Sequence, residues 1–219
     1  MIRCVVFDLD GTLADTSADL AAAMNFVLRS LGKAEKSAAL LTSYVGDGLE
    51  VYLALALDTD DKALIARAKP VFLDYYRKHL VEATRLYPGV RETLDALKAQ
   101  KIACYILSNK PEEFIRPIAE RLGIAADFVD SFGQYRFKRT KPDPEGLLHI
   151  LDLGRFANRE VLMVGDNHTD IETGKNASVR SVFCTFGLGQ KGSSTPDFTI
   201  DSMPILLEIV ESFDHPKII

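Results

Sequence analysis

Near-continuous apolar runs fall at Arg3 to Leu9, Ile102 to Leu107, Val161 to Val164 and Ser181 to Thr185, with a shorter one at Phe132 to Tyr135. Such runs suit strands buried on both faces of a parallel sheet. Between them the polar positions recur at helical spacing. Gly89 to Gln100 places Val90, Leu94 and Leu97 on one face. Pro111 to Leu122 closes on Gly123, Pro144 to Leu153 closes on Gly154, and Asp170 to Ala177 completes the set. Proline at a helix start and glycine just past its end are the expected punctuation. This strand–helix alternation predicts an α/β fold, a Rossmann-like parallel sheet core with helices on both faces.

The pattern changes after the first strand. Ser17 to Leu31 reads as an alanine- and leucine-rich helix with Ser17 as N-cap and Gly32 as stop. Helices at about Gly48 to Leu57 and Asp61 to Leu80 follow, the last with a kink expected at Pro70. No strand intervenes. The expected division is a core of residues 1–14 and 86–219 with an all-helical cap, residues 15–85, inserted after the first strand.

Composition narrows the partners. The chain has 219 residues, 47% of them hydrophobic and 26% charged, with a formal net charge of −5. That balance supports an ordinary core and excludes disorder by composition. An acidic chain without long basic runs argues against nucleic-acid binding. No run approaches a membrane span or a signal peptide, so a soluble, cytoplasmic protein is expected, monomer or homodimer. Cys4, Cys104 and Cys184 each lie in an apolar run and read as buried thiols.

Carboxylates gather at strand ends. Asp8 and Asp10 close the first strand on one face, just before Gly11. In open α/β sheets the ligand crevice lies there. Like charges so close need a divalent cation, or one must take a proton; a pair of turn-capping aspartates would read the same locally. The second strand ends in Leu107-Ser108-Asn109-Lys110, where a hydroxyl and an amide can donate to phosphate oxygens or simply start the next helix. Lys141, held by Pro142 and Pro144, supplies a point charge suited to phosphate, with Lys138 and Arg139 nearby. The fourth strand ends in Gly165-Asp166-Asn167-His168-Thr169-Asp170. Asp8, Asp166 and a backbone carbonyl would form a hard oxygen site suited to Mg²⁺, while Asp170 would support it or cap a helix. His168 reads as a turn residue. Gly187 to Gly192 matches G-x-G-x-x-G, yet no helix pattern follows and it comes after the last expected strand, so a dinucleotide role is rejected.

Asp8-Leu9-Asp10-Gly11-Thr12, Ser108, Lys141-Pro142, and Gly165-Asp166 with Asp170 together resemble the haloacid dehalogenase-like hydrolase superfamily. The resemblance spans the chain and implies a small phosphate ester as substrate. Asp8 would attack phosphorus and Asp10 would protonate the leaving alcohol, then activate water. Thr12, Ser108, Asn109 and Lys141 would bind the phosphoryl group. Mg²⁺ would sit on Asp8, the Asp10 carbonyl and Asp166, with Asp170 acting through water. The second aspartate, Asp10, separates the chain from the dehalogenases. Tyr44 to Leu49 and the stretch Pro196 to Asp201 resemble the phosphoglycolate phosphatase-like subgroup, which also holds pyrophosphatase and phosphonatase relatives. A sugar phosphomutase, or a non-catalytic phosphate-binding domain, stands as the alternative. The Gly46–Gly48 loop could face the site or be a plain helix-start turn.

Overall fold

A computed structural model describes residues 1–213. In chain order the elements are β1 (Cys4–Phe7), β2 (Ala14–Asp15), α1 (Ser17–Ser30), α2 (Ala38–Thr42), α3 (Leu49–Leu57), α4 (Lys62–Lys78), β3 (Arg85–Leu86), α5 (Val90–Ala99), β4 (Ala103–Pro111), α6 (Glu112–Arg121), β5 (Asp130–Gln134), α7 (Glu145–Gly154), β6 (Val161–Gly165), α8 (His168–Asn176), β7 (Arg180–Cys184), β8 (Phe198–Ile200) and α9 (Ile205–Ser212). Six strands form one sheet in the order β5-β4-β1-β6-β7-β8, with every pairing parallel. The last six residues of the expected core, 214–219, lie outside the described residues.

The pleat explains why β1 is apolar throughout. Val5 and Phe7 enter one core with Leu94, Leu97, Phe114 and Ile118 of α5 and α6. Cys4 and Val6 enter a second with Leu147 and Ile150 of α7. Successive strand residues face opposite sides, and both sides are covered. All three cysteines are buried and free. No helix among the described residues is long and apolar enough to cross a membrane.

Between β1 and β4 the chain builds α1 to α4. The two-residue strands β2 and β3 pair antiparallel, Ala14 with Leu86 and Asp15 with Arg85, and so bring the entry and exit of this insertion together. Asp19 of α1 reinforces that neck, accepting hydrogen bonds from the backbone N–H groups of Glu82, Ala83 and Thr84 and from the Thr84 hydroxyl (2.7–3.1 Å). Burial pushes the Asp19 carboxyl up, but these bonds outweigh it and hold it below the usual carboxylate range.

Several local expectations differ from the structure. Ser17 is the first helical residue rather than the N-cap: Thr16 occupies that position, and the Ser17 hydroxyl donates to Asp15 (2.6 Å). Gly154 does not close α7; it is the last helical residue, and Arg155 takes the left-handed conformation (φ 52°). A Cβ at Gly154 would stand 1.9 Å from the Phe156 ring, so the glycine answers to close packing. α4 continues through Pro70. Gly187 to Gly192 does not follow the last strand, because β8 comes after it.

Candidate active site

Register brings the site together. Phe7 pairs with Ile106 on one side and Val164 on the other. The residues that follow therefore emerge side by side at the sheet's carboxyl edge: Asp8 is level with Leu107 and Gly165, and Ser108 and Asp166 come one residue later on either side. Gly11 then turns the chain with φ 83°, and a Cβ there would stand 2.1 Å from the Asp166 carboxylate. Only glycine permits both the conformation and the approach.

Asp8 is buried. Its Oδ1 accepts from Leu9 N (2.6 Å) and its Oδ2 meets Lys141 Nζ at 2.9 Å. Lys141 Nζ also donates to Asp170 Oδ1 (2.5 Å). Asp8, Asp166 and Asp170 each offer an oxygen within 4.8 Å of the others, all three residues buried. Burial first, then the charges of Asp170 and Asp8, push Asp166 up to about 7. Burial also raises Asp170, with Asp8 adding to it and Lys141 opposing. Three packed carboxylates with one ammonium are short of positive charge. At ~4 Å and an effective dielectric of ~20, each like-charge pair costs about 4 kcal/mol. Hard oxygen donors converging in a buried pocket suit a divalent cation.

Asp166 is held firmly. Thr12 Oγ1 donates to its Oδ1 (3.0 Å), and Leu188 N and Gly189 N donate to its Oδ2 (2.8 and 2.7 Å). The glycine-rich stretch rejected as a nucleotide loop thus supplies backbone donors to a carboxylate. Thr12, expected at the phosphoryl group, directs its hydroxyl to Asp166.

The Asn109 side chain, also expected at the phosphoryl group, is engaged by other partners. Its two amide N–H bonds go to the carbonyls of Gly46 and Lys141 (both 2.9 Å), while its Oδ1 accepts from Lys141 N (2.9 Å). With both donors taken, the side chain brackets Lys141 and ties it to the insertion. Ser108 fits the expectation better, since its Oγ only accepts, from Lys110 N (3.3 Å), and keeps its proton to donate. Asp170 also caps α8, its Oδ2 accepting from Asn167 N (3.0 Å). His168 is not a turn residue but the first residue of α8, with Nε2 at 3.8 Å from Asp47. Arg139 lies at the surface with Asp143.

The Asp10 carboxylate does not join the other three. Lys110 Nζ donates to both its oxygens (3.0 Å each), and Thr16 Oγ1 donates to Oδ1 (2.6 Å). Lys110 is fully enclosed; burial alone would lower its pKa, but Asp10 holds it above the ordinary value. The sequence offered no sign of this pair, because its members stand 100 residues apart. A cavity of about 50 Å³ opens beside these groups, between the sheet edge and the insertion. Val45, Gly46 and Gly48 line it. The Gly46–Gly48 loop therefore faces the site and also starts α3, where Gly48 is the N-cap.

A family model for haloacid dehalogenase-like hydrolases matches residues 2–178. A phosphoglycolate phosphatase of Vibrio parahaemolyticus is 36% identical over 219 residues, covering 95% of this chain and 96% of the relative. One from Aquifex aeolicus is 31% identical, covering 96% and 98%. A crystal structure from Haemophilus somnus, described as a predicted phosphoglycolate phosphatase, superposes with a TM-score of 0.89 at 29% identity, over 95% of this chain and 97% of that one.

Proposed function

The chain belongs to the haloacid dehalogenase-like hydrolases and is a phosphoric monoester hydrolase, and from that premise we propose that it hydrolyses 2-phosphoglycolate through attack by Asp8, with Mg²⁺ as cofactor. The observation that carries the mechanism is the position of Asp8: a buried carboxylate at the sheet edge, 2.9 Å from Lys141 and grouped with Asp166 and Asp170. The relatives named phosphoglycolate phosphatase support the choice of ester.

Asp8 would attack phosphorus, forming an aspartyl-phosphate as the P–O bond to the alcohol breaks. Asp10 would give the departing oxygen its proton, then take one from the water that cleaves the acyl phosphate. Lys141 and the Ser108 hydroxyl would bind the equatorial phosphoryl oxygens. Asp8, Asp166 and the Asp10 carbonyl would hold Mg²⁺, with Asp170 in support. The ion, when bound, supplies the positive charge that lets an anionic nucleophile meet a phosphate dianion. Thr12 and the amides of Leu188 and Gly189 would fix Asp166 for that task. We read residues 15–85 as a cap over a core of 1–14 and 86–219. The Gly46–Gly48 loop and Asn109 would close the site against water.

A phosphate-release panel of 2-phosphoglycolate, pyrophosphate, sugar phosphates and nucleotides, with Mg²⁺ and with EDTA, tests this. 2-Phosphoglycolate is expected to be the best substrate, with turnover lost in EDTA. Asp8→Asn is expected to lower kcat on the order of 10³-fold or more. Metal-independent turnover, or full activity in Asp8→Asn, would overturn the mechanism; a preference for another ester would overturn the substrate.

A further inference from the structure

The cavity beside Asp8 has a polar end that the phosphoryl chemistry leaves unused. Tyr52 of α3 and Tyr76 of α4 both line it, at 5% and 1% exposure. Among the described residues the Tyr52 hydroxyl has no hydrogen-bond partner, and the Tyr76 hydroxyl has only the Lys110 ammonium beside it. A buried hydroxyl without a partner is costly, and Tyr52 shares its small cavity with a second phenol whose own proton has no acceptor, which points to something that fills it. Lys110 closes the same space. Two of its three N–H bonds go to Asp10, and its Nζ lies 4.6 Å from the centre of the Tyr76 ring. The rest of this end is apolar, built from Leu20, Leu49, Phe72 and Phe114.

Resting on the phosphatase reading above, we propose that Lys110, Tyr52 and Tyr76 form the recognition site for a carboxylate on the leaving group, and so select small phosphate esters of hydroxy acids. Two hydroxyl donors and an ammonium supply what an anion needs on leaving water for an apolar pocket. A plain alkyl group would leave both hydroxyl protons without acceptors, and a site built to hydrogen-bond rejects the analogue that lacks the group. Size agrees. If one water needs ~10–15 Å³, the cavity holds about four water-sized groups. A space this small favours a leaving group of few carbons over a sugar or nucleoside. The same lysine contacts Asp10, so the leaving group's charge is read one residue away from its proton donor.

Calorimetric binding to the Asp8→Asn chain in MgCl₂, which does not turn over, separates this proposal from the phosphatase reading. 2-Phosphoglycolate and ethyl phosphate share the phosphoryl group and the two-carbon length and differ in the carboxylate. The expected result is a tenfold or larger preference for 2-phosphoglycolate, abolished when Tyr52→Phe and Tyr76→Phe are added together and abolished separately by Lys110→Met. The tyrosine pair removes only two oxygens, so it stays informative if the lysine variant misfolds. Equal affinity for the two ligands in Asp8→Asn, or a preference that survives the double tyrosine change, would overturn the proposal. Failure of the phosphatase reading shows up separately, as no Mg²⁺-dependent phosphate release from either ester by the unsubstituted chain.

Discussion

Single atoms at this sheet edge have separable duties. Thr12 touches neither the cavity nor Lys141; its hydroxyl reaches Asp166. Removing it in Thr12→Val leaves Asp8 in place but frees one oxygen of Asp166, which we propose as a metal ligand. We expect the Mg²⁺ concentration for half-maximal activity to rise about 10-fold, with kcat at saturating metal changed little. A metal titration of initial rates reads this, and an unchanged midpoint would remove Thr12 from that role. The tyrosine hydroxyls make the opposite case. That of Tyr52 is buried without a partner, so Tyr52→Phe should raise unfolding stability by about 1 kcal/mol in thermal or urea melts. A loss of stability would mean the hydroxyl has a partner in solution. Stability given up at a cavity wall is the expected signature of a binding group.

At the scale of elements, the insertion depends on its neck. β2 and β3 contribute only two residues each, so Asp19 is the main polar clasp between α1 and the return segment Glu82–Thr84. Asp19→Ala strands three backbone N–H groups and a hydroxyl and should cost about 2–3 kcal/mol, seen as a lowered urea midpoint. An effect below ~0.5 kcal/mol would show that water replaces the carboxylate freely. This clasp was invisible in the sequence. A carboxylate in the first turn of an alanine-rich helix looks like any solvated residue, and its partners lie more than sixty positions away. The same physics divides the legible elements from the rest. β1, β4 and β6 announce themselves because both faces are buried and the run is apolar throughout. β8, Phe198–Ile200, sits at the sheet edge with only Ile200 buried and gives no such run. Two-residue strands carry no periodicity. Ser108, Lys141, Asp166 and Asp170 could be found because each stands at a strand end or a proline-marked turn. Lys110 could not, because the burial that makes it matter comes from α4 and from Asp10. Asn109 and Thr12 were placed in the right neighbourhood, but local sequence does not say which neighbour takes a side chain's hydrogen bonds.

For the whole molecule, the concentration of buried carboxylates links metal, pH and stability. Asp166 is raised to about 7 in the folded chain against ~3.9 unfolded. The folded state then binds more protons between those values. The stability this contributes is fully present below about pH 4 and is lost as pH rises through about 7. A divalent cation reverses the penalty by binding the deprotonated form. Addition of MgCl₂ should therefore raise Tm more at pH 8 than at pH 5, by several degrees, with EDTA as reference. Equal shifts at both pH values would show that the cluster does not hold the ion.

The sheet order also has a consequence for biosynthesis. Asp8 is made well before its neighbours at the sheet edge, Ser108, Lys141 and Asp166. β6 must insert beside β1, and the two amides that grip Asp166 belong to residues 188 and 189. Until those residues are made, Asp8 stands without its full constellation. A nascent chain stalled before Gly189 emerges would carry Asp8, Ser108 and Lys141 yet lack the backbone donors that set Asp166. The site proposed around Asp8 is therefore assembled only after residues 188 and 189 have been made, close to completion of the sheet.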